Sequence, residues 1–167
     1  MDSPRHDGFS YRALSLLAAS DRIQHSNEHI LPLLEEGKTV ISDRYFYSCI
    51  ANLRARGYVN DNWIYEIATY VPKPDLSIFL DVNVKTALRR VRSRKSERDK
   101  YIDIPLQYRL RKEYIKICDE CGGVLINSEG PPEETFEKVM AEVDFILETK
   151  ICERQCTRGE VLWTLQK

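Results

Sequence analysis

Apolar side chains recur at helical spacing over residues 10–35: Leu14, Leu17 and Ala18, then Ile23, Ile30, Leu33 and Leu34. Pro32 falls inside the second half, where a residue without an N–H kinks or restarts a helix. Gly37 follows as a stop. Thr39-Val40-Ile41-Ser42 is a short β-rich run with Asp43 at its end, and residues 46–56 return to helical spacing. Asp61 to Tyr70 reads as a further helix capped by Asn60 or Asp61, and Pro72-Lys73-Pro74-Asp75 breaks it. Leu76 to Leu80 is a strand ending at Asp81. Val84 to Arg94 reads as a helix with Ala87, Leu88 and Val91 on one face, and Leu106 to Cys118 as another. Gly123 to Asn127 is a third strand. Pro132 to Leu147 is a helix with Glu133 and Glu134 in its first turn, where carboxylates suit the helix dipole.

Three short apolar strands alternating with longer helices predict an α/β fold, a parallel sheet covered by helices on both faces. Ligands gather at the carboxyl ends of such strands, and Asp43 and Asp81 stand at two of them. The expected organisation is one domain over residues 1–148 and a C-terminal tail, 149–167, whose role the sequence does not supply.

Composition narrows the partners. The net charge of −1 gives no global reason to expect nucleic acid. Apolar runs fall far short of the roughly 20 residues that span a bilayer, so no membrane partner is expected. The opening residues MDSPRHDGFSYR carry no apolar stretch of the secretory type, and a cytoplasmic location is the expectation. Five cysteines make a disulfide framework improbable. Cys118-x-x-Cys121 and Cys152-x-x-x-Cys156 admit a four-thiolate zinc site. The plainer alternative makes Cys118 a small core residue at a helix end, with Gly122 and Gly123 forming the C-cap turn.

Gly37-Lys38-Thr39 resembles the tail of a nucleotide-binding loop, G-x-x-x-x-G-K-[ST]. Position 32 would then have to be glycine and is Pro32. The order is also reversed, because the triplet leaves a helix and enters a strand. Asp43-Arg44 carries more chemistry. A carboxylate at a strand end can orient a magnesium ion and its waters, and a guanidinium can grip phosphate oxygens with two bonds. A three-residue match has a plain alternative too, a capped turn with a surface ion pair.

The run LSLLAASDR at 14–22, followed by VISDRYFYSCIA at 40–51, resembles the thymidylate kinase family. PKPDLSIFLDV at 72–82, TALRRVRSRKSERDKY at 86–101 and EYIKICDECGGVLINSEGPPEET at 113–135 continue the resemblance in order. It covers about residues 12–147. What it implies is a P-loop kinase-like fold and transfer of the γ-phosphoryl of ATP to dTMP, giving dTDP, with Mg2+. The resemblance makes Arg22 the contact to the thymine base and nearby phosphate. It places Asp43 near the metal and the transferred group, and Arg44 on the dTMP phosphate. Tyr45 and Ser48 belong to the same substrate-binding segment, and Tyr101 packs by the sugar. Arg90, Arg92, Arg94 and Arg98 form the basic lid, of which Arg94 and Arg98 are the candidates to act on the transferred phosphoryl; their alternative is a solvated basic helix face. Homodimers through helices corresponding to 12–36 and 46–70 are also implied.

Departures from the family pattern are expected to bear on specificity. Ala18 stands where an aromatic would stack on thymine, and Asn52 and Leu53 replace an aromatic and a glutamine. A lost stacking contact is worth roughly 1–3 kcal/mol. The family's first strand, phosphate loop and first helix have no counterpart in these residues, a βαβ-sized shortfall of roughly 30 residues or more. The expectation is therefore a chain inactive alone for want of an ATP site. An alternative reading is a protein without kinase activity that binds a nucleotide or dimerises.

Overall fold

The structure is a computed structural model of the chain, and it describes residues 10–99 and 101–164, with side chains through 150. It is a mixed α/β arrangement in which helices pack on a small parallel sheet.

Helix α1 (Tyr11–His25) runs without interruption into a π-helical segment, Ser26–Ile30, and then α2 (Leu31–Glu35). Pro32 is the physical reason: it has no N–H to offer the preceding turn, and a wider turn upstream absorbs the mismatch. The helix stops at Gly37, whose φ is 76°. Lys38 N–H reaches back to Leu33 O at 3.0 Å, the six-to-one closure that a left-handed glycine permits.

The run Thr39–Ser42 does not form the expected strand. It carries no ladder, and Ile41 is 87% exposed. Apolar alternation specifies a strand only when another strand lies alongside, and none does so among the described residues.

Helix α3 (Tyr47–Ala55) supplies much of the core: Cys49, Ile50, Ala51, Leu53 and Ala55 are all buried. Phe46, Ile64, Val71, Ala19 and Ile117 complete that cluster. Helix α4 (Trp63–Ala68) begins at Asn62 with no side-chain cap. The expected cap, Asp61, is turned to Arg12 instead, with bonds of 2.7 and 2.9 Å. A charge-assisted two-point contact outcompetes a single cap bond.

Strand β1 (Ile78–Asp81) pairs in parallel with β2 (Val124–Asn127), Ile78 opposite Val124 and Asp81 opposite Asn127. The two expected strands are thus present, and the third is not. Between them lie α5 (Val84–Ser93) and α6 (Ile104–Cys121). Asn83 Oδ1 and Asp103 Oδ1 cap these helices, each accepting the N–H three residues on at 2.9 Å. Helix α6 ends at Gly122, φ 67°, with Gly123 N–H closing on Cys118 O at 2.8 Å. Cys118 is 2% exposed, as the plainer reading of that cysteine expected.

Helix α7 (Pro132–Thr164) is longer than the sequence suggests and continues past residue 148. The side chains of Cys152 and Cys156 lie outside the described residues, and so does the four-cysteine arrangement that would need them. No described helix is long and apolar enough to cross a membrane.

Candidate functional site

Helix α1 and the bend that follows Ser42 face each other across an open cleft of about 210 Å3. Its walls are Asp21, Arg22, His25 and Ile30 from the long helix, and Ser42, Asp43, Arg44 and Tyr45 from the bend. Four residues singled out in the sequence, Arg22, Asp43, Arg44 and Tyr45, therefore meet in one place although about twenty residues separate the two segments.

Each is held by local structure. Arg22 donates through Nη1 to Ala18 O at 2.8 Å, one turn back on its own helix. Its Nε is buried and has no hydrogen-bond partner. A buried donor without a partner costs about 1–3 kcal/mol. Arg44 has φ 62°, the one positive φ at a residue other than glycine among those described. Left-handed backbone costs an L-residue roughly 1–2 kcal/mol, and such strain persists where the surroundings impose it. Ser42 Oγ donates to Arg44 O at 3.3 Å across the bend. The Asp43 and Arg44 side chains are exposed.

Tyr45 is anchored rather than free. Its hydroxyl donates to Pro72 O at 2.8 Å, and burial pushes the phenol up from its ordinary value. Its ring, not its hydroxyl, is what the cleft can use. Ser48 lies in the first turn of α3, its N–H bonded to Tyr45 O at 3.1 Å and its carbonyl accepting from Asn52 Nδ2 at 2.9 Å.

The residues marked as departures do not line this cleft. Leu53 is 1% exposed in the core, Ala18 packs against the same cluster, and Asn52 is spent on Ser48 O. The basic residues at the end of α5 and after it are also separate from the cleft lining. Arg90 Nη2 donates to the carbonyls of Ser128, Glu129 and Gly130 at 2.8, 3.1 and 3.3 Å, fixing the turn between β2 and α7. Arg92 donates to Arg98 O. Arg94 reaches Glu97 at 3.4 Å, and Tyr101 is 60% exposed.

Asp81, at the end of β1, is committed to structure. Arg111 donates to it twice at 2.7 Å, and that guanidinium holds its carboxyl below the usual range.

Asp43 suits a magnesium ion of one kind. Mg2+ keeps several waters and takes one or two carboxylates alongside substrate phosphates. Asp43, an exposed carboxylate with Asp21 and two arginines in the same cleft, fits that mode. An all-protein cage is not available, since no cluster of three or more His, Cys, Asp or Glu able to hold a metal exists among the described residues.

Asp21 and His25 were not anticipated. They flank Arg22 at i−1 and i+3 on α1, so the helical spacing of D-R-x-x-H was the signal that could have found them. Arg111 had no such signal, since its partner is 30 residues away.

A family model described as thymidylate kinase matches residues 4–139. The chain is 41% identical over 137 residues to a protein described as a probable thymidylate kinase from Pyrococcus abyssi, covering 80% of this chain and 65% of that one. A protein of the same description from Pyrococcus horikoshii is 46% identical over 112 residues, covering 66% and 53%. One from Thermococcus gammatolerans is 38% identical over 138 residues, covering 81% and 65%. The chain thus spans between about half and two thirds of the length of these relatives.

Proposed function

The chain belongs to the thymidylate kinase family, and on that premise we propose that its cleft is the acceptor side of a reaction carrying the γ-phosphoryl of ATP to dTMP. The product is dTDP, on the way to dTTP. The observation that carries this reading is the convergence of Arg22, Asp43, Arg44 and Tyr45 on one cleft. Its size is below the roughly 300 Å3 of typical ligand pockets, which suits the phosphate end of a nucleotide rather than the whole of one.

In this reading the guanidinium of Arg44 takes two oxygens of the acceptor phosphate. Arg22 turns its guanidinium to the same group or to the base above it. Tyr45 offers its ring as a wall, because its hydroxyl is already bonded. Bound ATP and Mg2+ would supply the transferable phosphoryl and neutralise its charge. Asp43 is the residue that would hold the metal's water shell. Ser48 and Tyr101 flank the nucleotide, and Arg94 and Arg98 bring positive charge from the segment after α5. The 3.4 Å contact of Arg94 with Glu97 is weak enough to exchange. A second copy of the chain docks on α1 and α2, where Leu16, Leu17, Leu31 and Leu34 are exposed.

Calorimetric titration of the purified chain with dTMP tests the acceptor site, alongside Arg22→Ala. Saturable binding that the substitution weakens about tenfold or more, the worth of a charged hydrogen bond, is the expected result. Absence of saturable dTMP binding, or binding that Arg22→Ala leaves unchanged, overturns the reading.

A further inference from the structure

His25 and His29 stand one turn apart on the first long helix, both exposed, with ring centroids 5.0 Å apart and planes tilted by 57°. The π-helical segment Ser26–Ile30 begins between them. In a regular α-helix residue i+4 lies about 40° past residue i around the axis. The wider i→i+5 turn advances each residue less, so the offset closes and the two imidazoles come into line.

Two imidazoles at i, i+4 on one helix face are a recognised half of a zinc site, and neutral imidazole is the commonest protein metal ligand. The spacing fits such an ion. With Zn–N bonds of about 2.0–2.1 Å, an ion held by one nitrogen of each ring stands roughly 3.2 Å from each centroid. Centroids 5.0 Å apart then subtend about 100° at the ion, near the tetrahedral angle. Glu28 does not compete for the imidazoles, since it accepts from Gln24 on the neighbouring flank.

We propose that His25 and His29 form a two-imidazole chelate for a borderline divalent transition metal, Zn2+ first, at the rim of the cleft. Two ligands leave positions for water, which agrees with the lack of a three-residue cluster among the described residues. Hard cations such as Mg2+ prefer oxygen and are not held here. His25 also lines the cleft, so an ion at the pair sits beside Arg22, Asp21, Asp43, Arg44 and Tyr45. Its field adds positive charge to a wall that already holds two arginines and two carboxylates.

The cysteines are the competing zinc ligands, and the test separates the two. Zn2+ is titrated calorimetrically into the reduced full chain, His25→Gln, His29→Gln and Cys121→Ser at about pH 7.5, with no nucleotide present. Losing one arm of a chelate weakens binding by about tenfold or more. The expected result is that loss in both histidine variants and none in Cys121→Ser. Mg2+ produces no heat at the pair. No zinc binding, or binding that survives both histidine changes, overturns the proposal. A site abolished by Cys121→Ser and indifferent to the histidines overturns it too and moves the metal to the thiols. A failure of dTMP to bind would leave this result untouched.

Discussion

Arg111 clasps Asp81 with two parallel hydrogen bonds, Nε to Oδ1 and Nη2 to Oδ2, each 2.7 Å. The contact ties the middle of α6 to the carboxyl end of β1, where Ser128 N–H and Oγ also bond Asp81 O at 2.7 and 2.9 Å. The Asp81 side chain is 16% exposed and that of Arg111 40%. Because the guanidinium lowers the folded carboxyl's pKa, the contribution is fully present above the unfolded value of about 3.9. It is lost as pH falls through the lower folded value. Arg111→Ala should cost about 1–2 kcal/mol at pH 7, the lower part of the range for charged hydrogen bonds given the exposed arginine. Urea unfolding at pH 7 and near pH 3 checks this. The deficit should shrink at the acid end, and an equal deficit at both would assign it to lost packing instead.

Gly123 is required by space rather than by its backbone angle. A Cβ there would stand 2.8 Å from Phe79 Cε2 and 3.0 Å from Ser77 O. Phe79 cannot retreat freely, since Tyr47 and Tyr114 ring centroids lie 5.7 and 6.4 Å from its own. Gly123→Ala should destabilise by about 1–3 kcal/mol, as overpacking does. Gly37→Ala meets nothing within 4 Å and should cost only its backbone strain, about 1 kcal/mol. Thermal unfolding of the two variants should rank them in that order.

Arg44 offers a separation of stability from binding. Its φ of 62° is strained for arginine and free for glycine. Arg44→Gly should leave the melting temperature unchanged or raise it, while dTMP affinity falls about tenfold or more. Arg44→Ala should lose the same affinity and keep the strain. A large drop in melting temperature for Arg44→Gly would show that the side chain holds the bend.

Thiol labelling should follow burial. Cys49 is 6% and Cys118 2% exposed, and burial pushes both thiols up from the ordinary value. Cys121 is only partly buried, its Sγ 3.5 Å from Cys118 O. Brief alkylation at neutral pH, read by peptide mapping, should modify Cys121 before Cys49 and Cys118. Equal rates for the three would mean that α6 and α3 part readily.

Where one local signal sufficed, the sequence was legible. Gly37 ends a helix, Val84 opens one, and the apolar run before Asp81 is a strand, because each choice rests on a few adjacent residues. Thr39–Ser42 was not legible, because strand formation depends on a neighbour that local pattern does not supply. Asp61 was misread for a related reason: a cap and an arginine 49 residues away compete for one carboxylate, and only the fold brings Arg12 near. The cleft was half visible. Arg22, Asp43, Arg44 and Tyr45 came from motif, whereas Asp21 and His25 required the helix to be placed against the bend.

The parallel pairing of β1 with β2 has a kinetic consequence. Its ladder joins Ile78 to Val124, so closing it costs chain entropy before any ladder bond forms. The docking of α6 on α3, through Arg109 Nε to Ala55 O at 2.9 Å and Arg54 to Glu120 at 2.8 Å, closes still longer loops, whereas the backbone bonds inside α3 join residues one turn apart. Strand β1 pairs with a β2 that the turn at Gly122 joins to α6. During refolding the amides of Phe79 and Leu80 should therefore gain protection from exchange later than those of α3. Until then β1 is an open template, and the concentration of chains in solution decides whether it finds β2 or another molecule.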